Sequence, residues 1–529
     1  MVDEAKRPKG RSLAEFQPLK PAEEKLLEAC RMGEVCRVSL TRPEEAERTA
    51  DNVVRAWYLR FLILGGDADA PVHERGVQLR GAWIDGALDL QGTTSTGNIA
   101  LFLCWLTETP MLLDCHVRGT LTLSGCRVPG LTGDRLMCDG GLFLRKNFRA
   151  DGTVLLSGAK IGGHLDCEHA VFNGPEDAEG TPGYAFLADS VDVTGSVLLG
   201  NTKVHGEVRL VDAKIGGTLD CQNAKIGDGK DTFFYLENAS ISGRFLLRNM
   251  QVPVVNIHLY RAAIGALVDD AEAWGKGLDL QSFVYDSIYW ESPNDAKTRL
   301  AWLDKQNPGI SGKDGDGTRF SPQPWLQLKK VLHEAGHTEQ ARQVGIALER
   351  RRRHCGKIGA YPNSWGLFGL LFYKPLAWAF HKSFGIFTGY GYRPMILLFW
   401  MLGVWLAGGA YDYAAAPHNA FAPDGDRVTA CPDGTGPTCA IPPTYQAFHP
   451  FVYSLNVLLP VVELQQEENW HPVMAQNPST VFVRNITPLF TTWGGRAQLY
   501  FWFETLFGWM SGLLLVAVLS GLTRKQDDG

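Results

Sequence analysis

Between Gly76 and Trp290 the apolar residues follow a fixed beat. Stepping by eleven from Gly163, eight of nine consecutive stops from Gly86 to Gly174 are glycine, with Glu108 the exception. Gly195, Gly206 and Gly217 resume the same step. Apolar side chains stand two and four places after these glycines, as in Leu88 and Leu90, Leu121 and Leu123, Leu165 and Cys167, and Leu219 and Cys221. Another commonly stands two places before, as in Ile84, Val117, Ile161, Val204 and Ile215. Alternation with period two predicts short strands with one buried face. Glycine between two such pairs predicts a corner that needs positive φ or close backbone approach. Each eleven-residue unit then holds two short strands, and two units, about 22 residues, make one four-sided coil of a stacked β-solenoid. The phrase IGGxLDC occurs at Ile161 and again at Ile215, 54 residues later. Because Gly174 and Gly195 lie 21 residues apart, that distance reads as five units less one residue.

Elsewhere the period changes. Residues 22–30 and 50–66 carry helical apolar spacing and predict an N-terminal helical cap, since an uncovered solenoid end exposes strand edges. Residues 320–354 read as two helices with a turn at Ala335 to His337. From Trp365 the chain becomes strongly apolar. Met395–Tyr411 and Thr505–Leu522 contain no charged residue over seventeen and eighteen positions, enough for two transmembrane spans with aromatic ends. Residues 364–380 are apolar but divided by Lys374-Pro375, which predicts an interfacial helix or a kinked third span. The predicted fold is therefore mainly β: a right-handed β-solenoid over 69–290 behind an N-terminal cap over 1–68. A helical hairpin with a basic stretch follows over 291–360. A membrane domain over 361–529 comprises an interfacial helix 364–380, a span 395–411, an external loop 412–499 and a span 500–522. Within that loop, residues 451–472 are apolar and then acidic; they either re-enter the membrane or lie on its outer surface.

The net charge of −6, with 20% charged residues, excludes the basic field that nucleic acid needs. The solenoid itself carries 25 Asp or Glu against 17 Lys or Arg, a mildly acidic surface suited to protein contact. The N-terminus has no apolar core of the kind a cleavable signal has. None of the eleven cysteines forms a CxxC pair, which excludes zinc-ribbon and thioredoxin-like sites. Cys104, Cys115 and Cys126, again eleven apart, read as small apolar residues at one recurring corner rather than a metal ladder. Cys431 and Cys439 are a candidate disulfide in an outward-facing loop.

Candidate chemistry is sparse. His333-Glu334-Ala-Gly-His337 matches H-E-x-x-H, which on one continuous helix binds zinc with the glutamate as general base; Gly336 argues for a helix stop instead. Arg350, Arg351, Arg352, Arg353 and Lys357 precede the apolar region and suit anionic lipid headgroups. These cations, with Arg524 and Lys525 after the second span, predict that the solenoid and the C-terminus are cytoplasmic in an inner membrane. Gly403 with Ala407, and Gly508 with Gly512, are candidate helix-packing pairs. Glu504, on the face of Gly508, is a candidate for a polar path or pore lining. Thr388-Gly-Tyr-Gly391 stands ahead of the first span, so it is discounted as an ion filter.

In order along the chain, VRAWYLRFLILGGD, PVHERGVQLRGAWIDGALDL, repeated IGGxLDC, the hairpin ending ALERRRR, GYGYRP and FETLFGWMSG resemble a family of bacterial membrane-anchored proteins with pentapeptide-like repeats. The resemblance covers nearly the whole chain and implies a β-helix followed by a membrane anchor, with no catalytic residues to carry over. Proteins of this kind often bear the label membrane-associated oxidoreductase. No G-x-G-x-x-G after a strand, CxxC or flavin signature is present to support it, and no cofactor is expected. The expected function is a membrane-tethered scaffold or sensor that binds a protein partner, or further copies of itself, beside membrane lipids. An oligomeric pore regulated by the solenoid is the alternative, and a membrane zinc peptidase using His333, Glu334 and His337 the third.

Overall fold

The computed structural model describes residues 12–44, 48–175, 183–227, 233–313, 319–423, 445–459, 461–473 and 489–519. The chain divides into two compact units, Met1–Lys357 and Ile358–Gly529.

The first unit is a parallel β-solenoid of about nine turns. Strands two to eight residues long stack in register, each on the equivalent strand of the next coil: Leu121 pairs with Leu142, Leu142 with Leu165, Val197 with Leu219. The ladders form four columns. Two of them merge at Ser240–Leu247, a single strand that pairs with both Lys214–Ile215 and Leu219–Asp220. Inside, the side chains are aliphatic, with Val117, Leu121, Leu142, Val154, Leu165, Val208 and Leu219 all at 1% exposure or less.

Close approach, more than positive φ, accounts for the glycine beat. A Cβ on Gly163 would stand 2.9 Å from the backbone nitrogen of Gly141, and one on Gly97 would stand 2.7 Å from the Glu74 carbonyl. A second corner repeats half a unit away, where φ is positive on residues other than glycine: Leu103, Asp114, His169, Asn201, Asp212 and Asn223. Many of these corners close with an i→i+3 backbone hydrogen bond onto a small buried residue, such as Cys115, Cys126, Ala170, Ala213 and Ala224. Asn and Asp tolerate this conformation best after glycine. Cys104 and Cys115 follow such corners, Cys126 follows the equivalent one at Gly125, and all three are fully buried.

The 54 residues between the IGG phrases are not five units short of one residue. They are one coil of 32 residues, Leu165 to Val197, and one of 22, Val197 to Leu219. The longer coil carries an excursion between Gly174 and Gly183, where the two chain ends meet through the Gly183 N–H and the Pro175 carbonyl.

The ladder also begins before residue 69. Helix α1 (Pro21–Met32) leads to Cys36–Arg37, which pairs with Leu79 and Arg80; Val53–Arg55, which pairs with Trp83–Asp85, leads into α2 (Ala56–Ile63). Leu26 and Leu27 of α1 and Tyr58 and Leu62 of α2 join the solenoid core. At the other end, α3 (Ala296–Leu303) seats Arg299 on Asp269 through two bonds of 2.7 and 2.8 Å, with both side chains almost fully buried. Helices α4 (Gln323–Glu334) and α5 (Thr338–His354) form the hairpin. Gln323 and Gln327 of α4 donate to the carbonyls of Phe283 and Tyr285, so side-chain amides occupy acceptors on the last coil.

In the second unit a helical run begins at Gly366 and passes through a π-helical segment, Gly369–Tyr373, into α6 (Lys374–Thr388). Pro375, which has no N–H to donate, stands two residues past the end of that segment. Helix α7 is Met395–Ala415, α8 is Pro450–Leu458 and α9 is Trp493–Leu519. The stretches Met395–His418 and Trp493–Ala517 are long and apolar enough to cross a membrane. Helix α7 runs past Tyr411, where the first charge had marked its expected end, because Asp412 is buried. Helix α9 begins at Trp493 rather than at residue 500.

Candidate functional site

In the second unit the usual distribution of polarity is reversed. Phe399, Leu402 and Leu406 of α7 and Leu506, Trp509, Met510 and Leu513 of α9 are exposed, while Asp412, Ser454, Asn456, Gln466 and Glu504 are buried. The buried polar residues gather around α8, nine residues long and packed against both long helices.

Glycine makes that packing possible. A Cβ on Gly408 would strike Glu504, Ser454 and Tyr500; one on Gly409 would strike the Phe451 ring; one on Gly508 would strike the Leu458 carbonyl. Helix α8 thus ends beside Gly508, near the middle of the 27-residue α9. Trp405 Nε1 donates to the Phe451 carbonyl at 2.8 Å, and Tyr500 Oη donates to the Val404 carbonyl at 2.7 Å. The Ser454 hydroxyl lies between the Trp405 carbonyl, at 3.1 Å, and the Glu504 carboxylate, and donates to either.

After α8 the chain turns back. Asn456 Oδ1 accepts from the backbone N–H groups of Leu464 and Gln466 at 3.0 and 3.2 Å. Gln466 bridges to the start of the helix, accepting from the His449 N–H at 3.0 Å and donating to the Ala447 carbonyl at 3.2 Å. Entry and exit of this hairpin are therefore adjacent. Phe421–Pro423 pairs antiparallel with Trp470–Pro472 beyond it. Glu467, on the exit, has its carboxyl pushed up by burial, against the pull of His471.

Glu504 is 1% exposed and Asp412 3%. Tyr453 is 2% exposed, and its hydroxyl has no hydrogen-bond partner among the described residues. It lies within electrostatic reach of Asp412, Glu467 and Glu504. Sequence reading singled out Glu504 but missed Asp412, Tyr453 and Ser454. The signal was present as Ser454 and Asn456 inside an otherwise apolar run.

The other candidates fall elsewhere. Gly403 and Ala407 are exposed, and a Cβ at Gly403 or Gly512 would meet nothing within 4 Å. His333 and Glu334 close α4, Gly336 turns with φ +81°, and His337 precedes α5; all are exposed. The two imidazoles therefore do not share one helix, let alone the single face that H-E-x-x-H needs. Arg351 is paired with Asp304 at 2.7 Å and Arg352 with Glu349 at 2.7 Å; Arg353 is half-buried, and Arg350 and Lys357 are exposed. Thr388–Gly391 is the turn that ends α6, with Gly389 left-handed. Cys431 and Cys439 lie outside the described residues.

On the solenoid, the outward side chains support one another. Trp83 and Trp105 stack at 4.6 Å, Arg127 lies over Trp105 at 4.2 Å, and Arg127 and Arg149 share Asp151. A shallow open hollow of about 440 Å³ is lined by Arg75, Gln78, Asn98, Ala100, Thr120 and Thr122. Burial pushes the Cys138 thiol up to about 11 and raises Cys115, Cys167 and Cys221, which keeps these four as unreactive thiols. Among the described residues, no group of three or more His, Cys, Asp or Glu is placed to hold a metal ion. No protein-family model matches this chain, and no curated protein or solved structure matches it either.

Proposed function

We propose that the chain is a multi-pass protein of a bacterial inner membrane in which a cytoplasmic solenoid governs a channel-like cation pathway built from the membrane units of several copies. In this reading α7 and α9 span the bilayer. The solenoid winds right-handed, the hand favoured by parallel crossovers, and α1 and α2 cap its first coil. Arg350 and Lys357 are the cations free to meet anionic headgroups.

The observation that carries the proposal is α8. A helix that stops beside the middle of a spanning helix and then turns back is tolerated at membrane depth only where protein or a polar cavity surrounds it. Buried ionisable side chains at that depth mark ion or proton paths more often than anchors. A tether needs neither feature. The dipole of α8 adds to this: its carbonyl end, at Leu458, points negative charge toward the middle of the unit, which favours cations there.

The test is flux. Full-length protein reconstituted into liposomes is expected to carry monovalent cations above the rate of empty liposomes. Protein that is inserted and folded yet carries none sinks the pathway reading. A non-catalytic scaffold then remains, supported by the solenoid's aliphatic interior and its paired outward charges.

A further inference from the structure

We propose that Asp412, Tyr453, Ser454 and Glu504 form a binding site for an alkali-metal cation stripped of most of its water. The proposal rests on the reading of this unit as a cation pathway and names the ion's stopping place.

Four observations converge. The side chains come from three helices, α7, α8 and α9, that meet through glycine contacts. All four are at least nine-tenths buried. All offer oxygen, the donor that hard cations take. Finally, the Tyr453 hydroxyl is buried with no partner among the described residues, although Asp412 and Glu504 are its electrostatic neighbours. Orphaning a buried hydroxyl costs roughly 1–3 kcal/mol, which a ligand at that oxygen would offset.

Charge points the same way. Helices α7 and α8 contain no Lys or Arg, and the Arg496 side chain of α9 is exposed and donates to the Phe490 carbonyl. Two buried carboxylates therefore lack a basic side chain from their own helices, and a buried charge needs a counter-ion. A proton would neutralise one oxygen and leave the Tyr453 hydroxyl orphaned. A divalent ion calls for six or more oxygens, several of them carboxylate or water. Two carboxylates and two neutral hydroxyls, with Ser454 already turned toward Glu504, suit a monovalent ion better.

Thermal unfolding of the full-length protein in detergent, at fixed pH and ionic strength, tests this. Sodium or potassium chloride is expected to raise Tm over N-methyl-D-glucamine chloride in a saturable way. Asp412→Asn and Tyr453→Phe are each expected to weaken that apparent affinity about tenfold, or about 1.4 kcal/mol. Tyr453→Phe removes one oxygen only, so it keeps the test alive if a carboxylate variant fails to fold. Three results overturn the site: equal stabilisation by the organic cation, stabilisation by divalent ions or acid alone, or alkali stabilisation untouched by both variants. Liposome flux separates the two ideas. Alkali-specific stabilisation without flux leaves the site standing and removes the pathway; flux unaffected by both variants removes the site and leaves the pathway.

Discussion

The solenoid and the unit that follows it solve opposite packing problems. The solenoid hides aliphatic side chains and turns its polar ones outward. Its buried polarity is nearly all backbone, satisfied by ladders of parallel strands. From Ile358 onward the exterior is apolar and the interior holds Asp412, Ser454, Asn456, Gln466 and Glu504. In the first unit a buried charge is an exception with an evident structural partner. In the second, buried carboxylates are what the helices enclose. That difference separates a body built to present a surface from one built around a polar interior.

The sharpest way to break the comparison is at the solenoid's own exception. Asp269 receives both Arg299 contacts and the Trp274 indole N–H at 2.7 Å. Asp269→Ala leaves a buried guanidinium without its anion and is expected to destabilise the solenoid by about 3–5 kcal/mol, read as loss of its cooperative melt. Changing Asp269 and Arg299 together to apolar residues of similar volume is expected to restore most of that loss. If the single variant melts like wild type, the pair is not a lock.

A middle-sized effect compares one glycine from each unit. A Cβ at Gly163 meets backbone of the coil below at 2.9 and 3.1 Å, and that backbone cannot yield without parting the ladder. Gly163→Val is expected to cost about 1–3 kcal/mol in the melt. At Gly408 the obstructing atoms belong to the side chains of Glu504, Ser454 and Tyr500, which are able to shift. Gly408→Ala is expected to leave the solenoid melt unchanged while disturbing the Ser454–Glu504 contact, and so to lower cation flux more than stability. Equal effects of both substitutions on the solenoid melt would erase the distinction.

How much of this was legible depended on whether the constraint is periodic. The crowding that selects glycine recurs every eleven residues, so the coil was readable from Gly86 to Gly217. The left-handed corner recurs equally often, but Leu103, Asp114, His169 and Asn201 share a backbone conformation and no chemistry, so no beat announces it. The 32-residue coil hid because its excursion returns Gly195 directly over Gly163, leaving a spacing that imitates the repeat. Cys36–Arg37 and Val53–Arg55 hid because they pair with strands far along the chain rather than with a repeat of themselves. In the second unit, Glu504 was visible as a charge beside GxxxG. Asp412 was lost because a hydropathy reading stops at the first charge. Tyr453 was lost because what sets it apart is a hydroxyl with no partner among the described residues, which only the packing of α7, α8 and α9 reveals.

The smallest effect lies at the solenoid's first coil, where charge is buried once more. Glu23 of α1 is wholly enclosed and accepts from Arg55 Nε at 2.8 Å, Arg55 Nη2 at 2.6 Å, and the backbone N–H groups of Arg55 and Lys20 at 2.9 Å each. Burial by itself pushes this carboxyl up, but the Arg55 and backbone hydrogen bonds together outweigh it and hold it below the usual carboxylate range. A group whose folded pKa lies below its unfolded value stabilises the fold above the unfolded value and loses that contribution as pH falls through the folded one. Acid should therefore loosen α1 from Val53–Arg55 before it disturbs the ladders, whose strength is backbone bonding and aliphatic contact. Glu23→Gln keeps the shape but not the charge and is expected to cost about 1–2 kcal/mol at neutral pH. It should also flatten the acid limb of a Tm-against-pH curve. An acid limb of unchanged slope in Glu23→Gln would mean that the first coil is held by its apolar contacts, Leu26 and Tyr58 among them, and that this charge contributes nothing to how the solenoid ends.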